Sequence, residues 1–361
     1  MERKSRKRII WIIPLAVLAL VLAVAAAYVG YVLFSYSRIP DMQETAVIGD
    51  ARAAAAAGVE YTAVTYNIGF GAYTPDFTFF MDGGTESWAA SRESVIRCVS
   101  GAAETAKAFA PDLVLFQEVD MDSTRSYHVD QAEMLRGAFP GWDSAAAVNY
   151  HSPFLMYPLT QPHGASNSCL LTESAFDISA SLRRSLPIAA GFSKLLDLDR
   201  CYSISRIPVE NGRELVVVNT HLSAYGTDAE QGEAQLEMLM ADLKSEYDKG
   251  NYVICGGDFN HDFTGSSREL FNPGTERIYS WCQPFPDGVI PAGLRKCTDY
   301  AEGPVASTRD TDIPYGPDSF LVTLDGFIVS DNVLCGYVQN VDTGFAFSDH
   351  NPVVLRFTLS E

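Results

Sequence analysis

Apolar and polar positions divide this chain into two unequal parts. From Ile9 to Phe34, 26 residues pass without a charge, and about 20 apolar residues suffice to cross a bilayer as a helix. The surplus permits some tilt, and Pro14 is tolerable in a membrane helix. Arg3, Lys4, Arg6, Lys7 and Arg8 precede the run. A secretory signal usually has an apolar region of only ~7–15 residues. Ala23-Val24-Ala25 would serve as a cleavage site, yet the length favours an uncleaved anchor. With the basic flank N-terminal, the positive-inside rule puts residues 35–361 outside the cytoplasm, at the cell membrane with a single pass. The division expected is a basic cytoplasmic tail at 1–8, a transmembrane helix at 9–34, a linker at 35–60 and one large domain at 61–361.

Ser35–Glu60 is polar and alanine-rich and reads as a tether with a short helix at Ala51–Ala57. Tyr61–Tyr66 (YTAVTY) alternates like a strand. Ser91 can cap a helix whose apolar positions Val95, Val99, Ala102, Ala106 and Phe109 keep helical spacing, with Pro111 ending it. Leu113–Phe116 and Leu215–Val218 are apolar enough for buried strands. A helix follows the second, with Leu236, Leu239, Met240, Leu243 and Tyr247 on one face. Val253–Gly257 is another strand, a long polar stretch runs to about Ser319, and Leu321–Val329 and Val353–Phe357 close the chain. No internal repeat interrupts this alternation. One α/β domain is expected, near the upper end for a single core.

Composition changes the picture little until charge is considered. Of 361 residues, 47% are hydrophobic, which excludes a disordered or fibrous chain. The formal net charge is −19; residues 1–8 hold five basic residues and one acid, so the remainder carries −23. Such a surface repels polyanions and argues against loose nucleic-acid binding, which relies on Lys and Arg. A nuclease whose bound metal supplies local positive charge stays open. The seven cysteines are odd in number and lack any CxxC pair, so buried thiols are the expectation. A Cys282–Cys297 bridge is open in an oxidising compartment.

The chemistry gathers where strands end. VICGGDFNH (Val253–His261) delivers Asp258 and Asn260 two positions apart, hence on one face of an extended chain. Asn67 follows YTAVTY, Glu118 follows LVLFQ and His221 follows VVVNT. Asp325 lies within LVTLDGFIV, and Asp349-His350 follows GFAFS. Strand ends on one edge of a sheet form a shared crevice. Carboxylates suit Mg²⁺ or Mn²⁺, and His and Asn suit hydrogen bonding to a phosphoryl group. Against this stand ordinary alternatives, a surface carboxylate for Glu118 and a structural histidine for His221. A buried Asp325 is costly unless paired, which favours a role. His128, His151, His163 and His261 are given none.

In order, TYNIG, FQEVD, NTHLSA, GGDFNH, LDGFIVS and SDHNPV resemble the motifs of the endonuclease/exonuclease/phosphatase superfamily. Its members include pancreatic-type deoxyribonucleases, abasic-site endonucleases, neutral sphingomyelinases and inositol-polyphosphate phosphatases. The resemblance covers Tyr61 to about Phe357, and GASNSCLLTES (164–174) is similar to the family's central strand. It implies a deoxyribonuclease I-like four-layer sandwich of two mixed sheets flanked by helices. It further implies Glu118 as the principal metal ligand, with Asn67 and Asp349 beside the metal. Asp258 would activate the attacking water, positioned by Asn260. His350 would contact the scissile phosphate, oriented by Asp325, and His221 would bind phosphate.

The implied activity is a hydrolase acting on phosphodiesters, with Mg²⁺ or Mn²⁺ as cofactor. Tyr150–Asn167 mixes aromatics, prolines and histidines, and Thr298–Ser319 has Arg309 as its only basic residue. Neither offers the Arg/Lys clusters expected for polyphosphorylated inositols or a DNA groove. A lipid or small-molecule phosphodiester is therefore favoured over DNA or RNA. A surface nuclease and a catalytically silent binding module on the same fold are the alternatives. Both histidines and three carboxylates are kept, which argues against the second.

Overall fold

The computed structural model describes residues 2–35, 37–188, 199–224, 229–275 and 282–361, with backbone alone at 2–11 and 229–230. The basic side chains of residues 3–8 therefore lie outside the described ones. Helix α1 (Glu2–Ser35) contains the apolar stretch, and Ile12–Ser35 is long and apolar enough to cross a membrane.

Two seven-stranded sheets form the rest of the body. The first runs in the order β1 (Gln43–Glu44), β7 (Ala180–Ser185), β8 (Cys201–Pro208), β9 (Glu214–His221), β10 (Tyr252–Asp258), β14 (Asp325–Ser330) and β11 (Leu294–Cys297). In the second the order is β15 (Val333–Asn340), β16 (Val353–Leu359), β3 (Glu60–Asn67), β4 (Leu113–Asp120), β6 (Gly164–Ser174), β5 (Asp143–Leu155) and β2 (Val47–Ile48). A short ribbon, β12 (Thr308–Arg309) with β13 (Leu321–Val322), crosses one end.

Strand alternation decides the layers, because successive side chains face opposite sides of a sheet. Ala63, Leu113 and Leu115 pack inward with Leu215, Val217, Tyr252 and Ile254 of the other sheet. Their neighbours Val64, Tyr66, Val114 and Phe116 face outward beneath α2 (Arg92–Lys107) and α3 (Gln131–Ala138). On the far side Val216, Val218, Val253 and Cys255 meet Leu236, Leu239, Met240 and Leu243 of α4 (Ala229–Asp248). Each sheet is thus apolar on both faces, and a four-layer sandwich is the outcome. Ser91 caps α2 by accepting the Ser94 N–H at 3.1 Å. Val95, Val99, Ala102 and Ala106 bury its inner face.

Four expectations change. Residues 43–60 are built into the body rather than strung as a tether: β1 pairs with β7, and β2 with β5. Ala51–Ala57 is extended, with Ala53 bridging Phe176 and Ala55 bridging Val209. Ala55 is wholly buried in the core between the two sheets, so packing overrides helix propensity. Finally, Cys297 pairs with Cys335 while Cys282 is a free thiol. Leu321–Val329 also divides, into β13 and β14, and so Asp325 opens a strand instead of lying within one.

Candidate active site

Strand direction brings the polar residues together. β3 and β4 run parallel and end with Asn67 and close to Glu118; β9 and β10 run parallel and end at His221 and Asp258. β14 and β16 run antiparallel to β10 and β3 respectively. They therefore begin where the others stop, with Asp325 opposite Asp258 in register and His350 just ahead of β16. All six groups share one edge of the sandwich.

One oxygen is the point of convergence. Asp258 Oδ2 accepts the Asn67 amide N–H at 3.0 Å, with His221 Nε2 3.4 Å away and His350 Nε2 3.7 Å away. The other oxygen, Oδ1, accepts the Asn260 backbone N–H at 2.9 Å. Asn260 takes a left-handed backbone, φ 51°, which Asn tolerates better than most residues, and its amide donates to Leu222 O at 2.7 Å. Asn260 thus aims Asp258 through its backbone. The glycines before Asp258 are a packing requirement: a Cβ on Gly257 would meet Thr220 O at 2.0 Å, and one on Gly256 would meet the Phe327 ring at 2.5 Å.

His350 and Asp325 form a buried pair. His350 Nδ1 donates to Asp325 Oδ2 at 2.7 Å, and the same oxygen accepts from Ser307 Oγ at 2.7 Å and Thr308 Oγ1 at 3.1 Å. Burial alone would drive the His350 proton off, but Asp325, Asp349 and Asp258 together outweigh it and lift the imidazole to about 10. His350 is therefore a cation at neutral pH, its Nε2 facing the site. His221 is the opposite case. Burial, then Arg200 and His350, hold it well below the usual histidine range, so it is neutral. Burial raises Asp258 to about 6, with His350 opposing and Asp325 adding to the rise.

Glu118 owes its position to a β-bulge. Pairing between β4 and β6 slips between Phe116 and Val119, and Glu118 takes φ 55°, a conformation that costs a non-glycine residue energy and clusters at functional sites. Its Oε1 lies 3.4 Å from Asn67 Nδ2 and 4.0 Å from His221 Nε2. Asp349 is pushed up to about 7 by burial, with Glu118 adding and His350 and Arg309 opposing. Two acids facing one edge are the hard-oxygen donors a divalent cation needs. A cation there would offset the burial that disfavours ionised Asp349 and the repulsion that Glu118 adds, and the residues fit it on that count. Asn67 is turned differently from the expectation of a metal ligand: its oxygen accepts Gly69 N–H at 3.0 Å, and its nitrogen faces Asp258 and Glu118. Asp258, Asp325 and His350 also bring ligand atoms within 4.8 Å of one another. There, Asp325 Oδ2 already accepts three hydrogen bonds, whereas its buried Oδ1 accepts none.

Several supporting residues escaped the sequence reading. Ser307 and Thr308 sit in the polar stretch before Ser319 and fix Asp325. Ser348 donates to Asn67 O at 2.8 Å. Between the sheets, Gln117 Nε2 donates to Asn219 Oδ1 at 2.8 Å, and Asn219 Nδ2 to Phe116 O and Leu171 O, each at 3.1 Å. This buried cross-link lies directly behind Glu118 and His221 in the chain. Its signal was present in the FQE and NTH triplets, whose polar residues interrupt apolar runs.

The Endonuclease/Exonuclease/phosphatase family model matches residues 64–350. The fold is shared with the endonuclease/exonuclease/phosphatase of Beutenbergia cavernae (16% identity, 83% of this chain and 72% of that one, TM-score 0.53). It is shared also with ANGEL2, a 2′,3′-cyclic phosphatase (15% identity, 88% and 99%, TM-score 0.54). A third is D. rerio TDP2 complexed with single strand DNA product (13% identity, 83% and 99%, TM-score 0.52). No curated protein matches the chain in sequence. With most of its length inside that match and its two-sheet sandwich intact, the chain belongs to the endonuclease/exonuclease/phosphatase family.

Proposed function

We propose that this chain is a membrane-anchored phosphodiesterase that works with a divalent cation and hydrolyses its substrate by in-line attack of water. The observation that carries the reading is the convergence of Asn67, His221 and His350 on Asp258 at one sheet edge. Asp258, ionised at neutral pH and aimed by Asn260, takes the proton of the attacking water. His350, cationic through Asp325, donates from Nε2 to a phosphoryl oxygen as charge grows there, and neutral His221 donates a second hydrogen bond. Asn67 holds Asp258 in place. Glu118 and Asp349 would hold Mg²⁺ or Mn²⁺, which supplies charge stabilisation worth several kcal/mol. The chemistry of ANGEL2 and the nucleic-acid product of TDP2 support phosphoester cleavage as the class.

The test is a panel of phosphomonoesters, phosphodiesters and nucleic acids assayed with Mg²⁺, with Mn²⁺ and with chelator. Turnover of a diester that chelation abolishes is expected. A folded chain that turns over no phosphoester with either metal would leave the binding-module reading in its place.

A further inference from the structure

The site opens into a cavity of about 930 Å³ whose floor includes Glu118 and His221. One of its walls is not part of the sandwich. Tyr28, Val29, Val32 and Leu33 of α1 line it, and positions i, i+1, i+4 and i+5 share one helix face. Two tyrosines fasten that face to the outer end of β5. Tyr28 Oη accepts from Met156 N at 3.0 Å and lies 3.2 Å from Phe154 O, and Tyr31 Oη accepts from Phe154 N at 3.1 Å.

Depth follows from helix geometry. Tyr28 lies seven residues before the end of α1, roughly 10 Å along the axis at 1.5 Å per residue. If Ile9–Ala27 crosses the bilayer, about 20 residues being enough, Tyr28 and Tyr31 sit at the interfacial level where such residues concentrate. The strand end bonded to them is held at that level too. The side chains around the mouth agree. Met81, Tyr157 and Leu159 are 73%, 70% and 81% exposed and Met156 44%, large apolar groups that gain nothing from water.

We propose, resting on the membrane-anchored phosphodiesterase reading, that the substrate is a membrane-lipid phosphodiester and that the anchor helix forms one wall of its entry. Lipid reaches the site from the bilayer between α1 and the lip at Met81 and Tyr157–Leu159. Its apolar chain lies against Val29, Val32, Phe79 and Phe80, and its phosphate meets His221 and His350. Water's oxygen bonds to phosphorus as one of its protons passes to Asp258, one phosphorus–oxygen ester bond breaks, and the leaving oxygen takes up a proton, so that one water is consumed. A nucleic-acid strand fits this mouth poorly. It must draw on Lys and Arg to neutralise phosphates, whereas of the two arginines lining the cavity Arg125 is clamped on Asp120 at 2.9 and 3.1 Å and Arg200 is buried, and the chain beyond residue 8 carries −23.

The experiment uses the full chain in proteoliposomes of phosphatidylcholine, phosphatidylethanolamine and phosphatidylglycerol with Mg²⁺, following lipid headgroup release. Soluble bis(p-nitrophenyl) phosphate and single-stranded DNA and RNA are assayed on the same samples. Met81→Asp, Leu159→Asp and, on the helix wall, Val32→Trp are compared with wild type. Lipid turnover is expected, and each variant should lower it at least tenfold relative to turnover of the soluble diester. An unmoved ratio overturns the lip and helix wall. Cleavage of the soluble diester or a nucleic acid without cleavage of lipid overturns the lipid assignment while leaving a phosphodiesterase. Loss of all turnover in wild type overturns the phosphodiesterase reading itself.

Discussion

Asp258 and His350 bear opposite charges 3.7 Å apart, and each protonation state has its own pH limit. The water-activating role requires Asp258 ionised, so kcat/KM should rise as pH passes through about 6. The phosphoryl contact requires His350 protonated, so activity should fall only as pH approaches about 10. A cation at Glu118 and Asp349 would favour ionised Asp258 and move the acid limb lower. Asp325→Asn removes the first of the charges that raise His350, so the basic limb should move down along with kcat. A profile whose basic limb stays fixed would deny Asp325 its orienting part. Asp258→Asn keeps the shape and removes the base, and a loss of about 10²–10⁴-fold in kcat is expected. Undiminished turnover by a folded variant would remove the assigned role. Glu118→Gln should instead raise the concentration of Mg²⁺ needed for half-maximal rate, read by titrating the metal.

Elements explain which of these residues were legible. Asn67, Glu118, His221 and Asp258 stand after runs of alternately facing apolar residues, and such runs mark strands from sequence alone. Asp325 was legible as a polar residue in an apolar run, but its place at the start of β14 depends on pairing with β10. Ser307 and Thr308 could not be found this way, because they belong to a nearly irregular stretch and act across the chain on Asp325. The short strands β1 and β2 were hidden for a related reason: two-residue ladders carry no periodicity. Alanine-rich 51–57 misled because propensity is a weak prior once tertiary packing competes. The Gln117–Asn219 cross-link makes a stability prediction at this scale. Asn219→Leu strips the amide donor from Phe116 O and Leu171 O and one of three acceptors from Gln117 inside the sandwich, and each buried polar group left unpaired costs about 1–3 kcal/mol. The urea midpoint should drop sharply. Glu173 on β6 gives the converse. Burial lifts its carboxyl to about 8, against the Ser144 hydroxyl that donates to it. A folded state that keeps a proton the unfolded chain releases loses stability as pH rises from the ordinary glutamate range through 8. Glu173→Gln should therefore raise Tm more at pH 8 than at pH 5, and an equal change at both would show that the carboxyl ionises freely in the fold.

At the scale of the whole molecule, the apolar helix, the basic tail and one cysteine pair bear on a single question, the side of the membrane on which the sandwich lies. Five basic residues precede the span, and Lys/Arg bias retains the flank that carries it on the cytoplasmic side. The Cys297–Cys335 pair joins β11 of one sheet to β15 of the other. Such bonds persist in oxidising compartments and are rare in the cytosol. Both arguments predict residues 35–361 outside, and they are independent, since one rests on insertion and the other on redox chemistry. Two measurements on intact cells check this together. Added protease should digest the sandwich without lysis, leaving a membrane-bound fragment that contains α1. Alkylation under denaturing, non-reducing conditions should modify Cys98, Cys169, Cys201, Cys255 and Cys282 but spare Cys297 and Cys335 until reductant is added. A sandwich protected until lysis, with all seven thiols open to alkylation, would reverse the orientation and move the lipid-facing mouth to the inner leaflet. A soluble, released sandwich lacking α1 would mean that the apolar segment is cleaved. The cavity would then lose the wall that Tyr28–Leu33 provides.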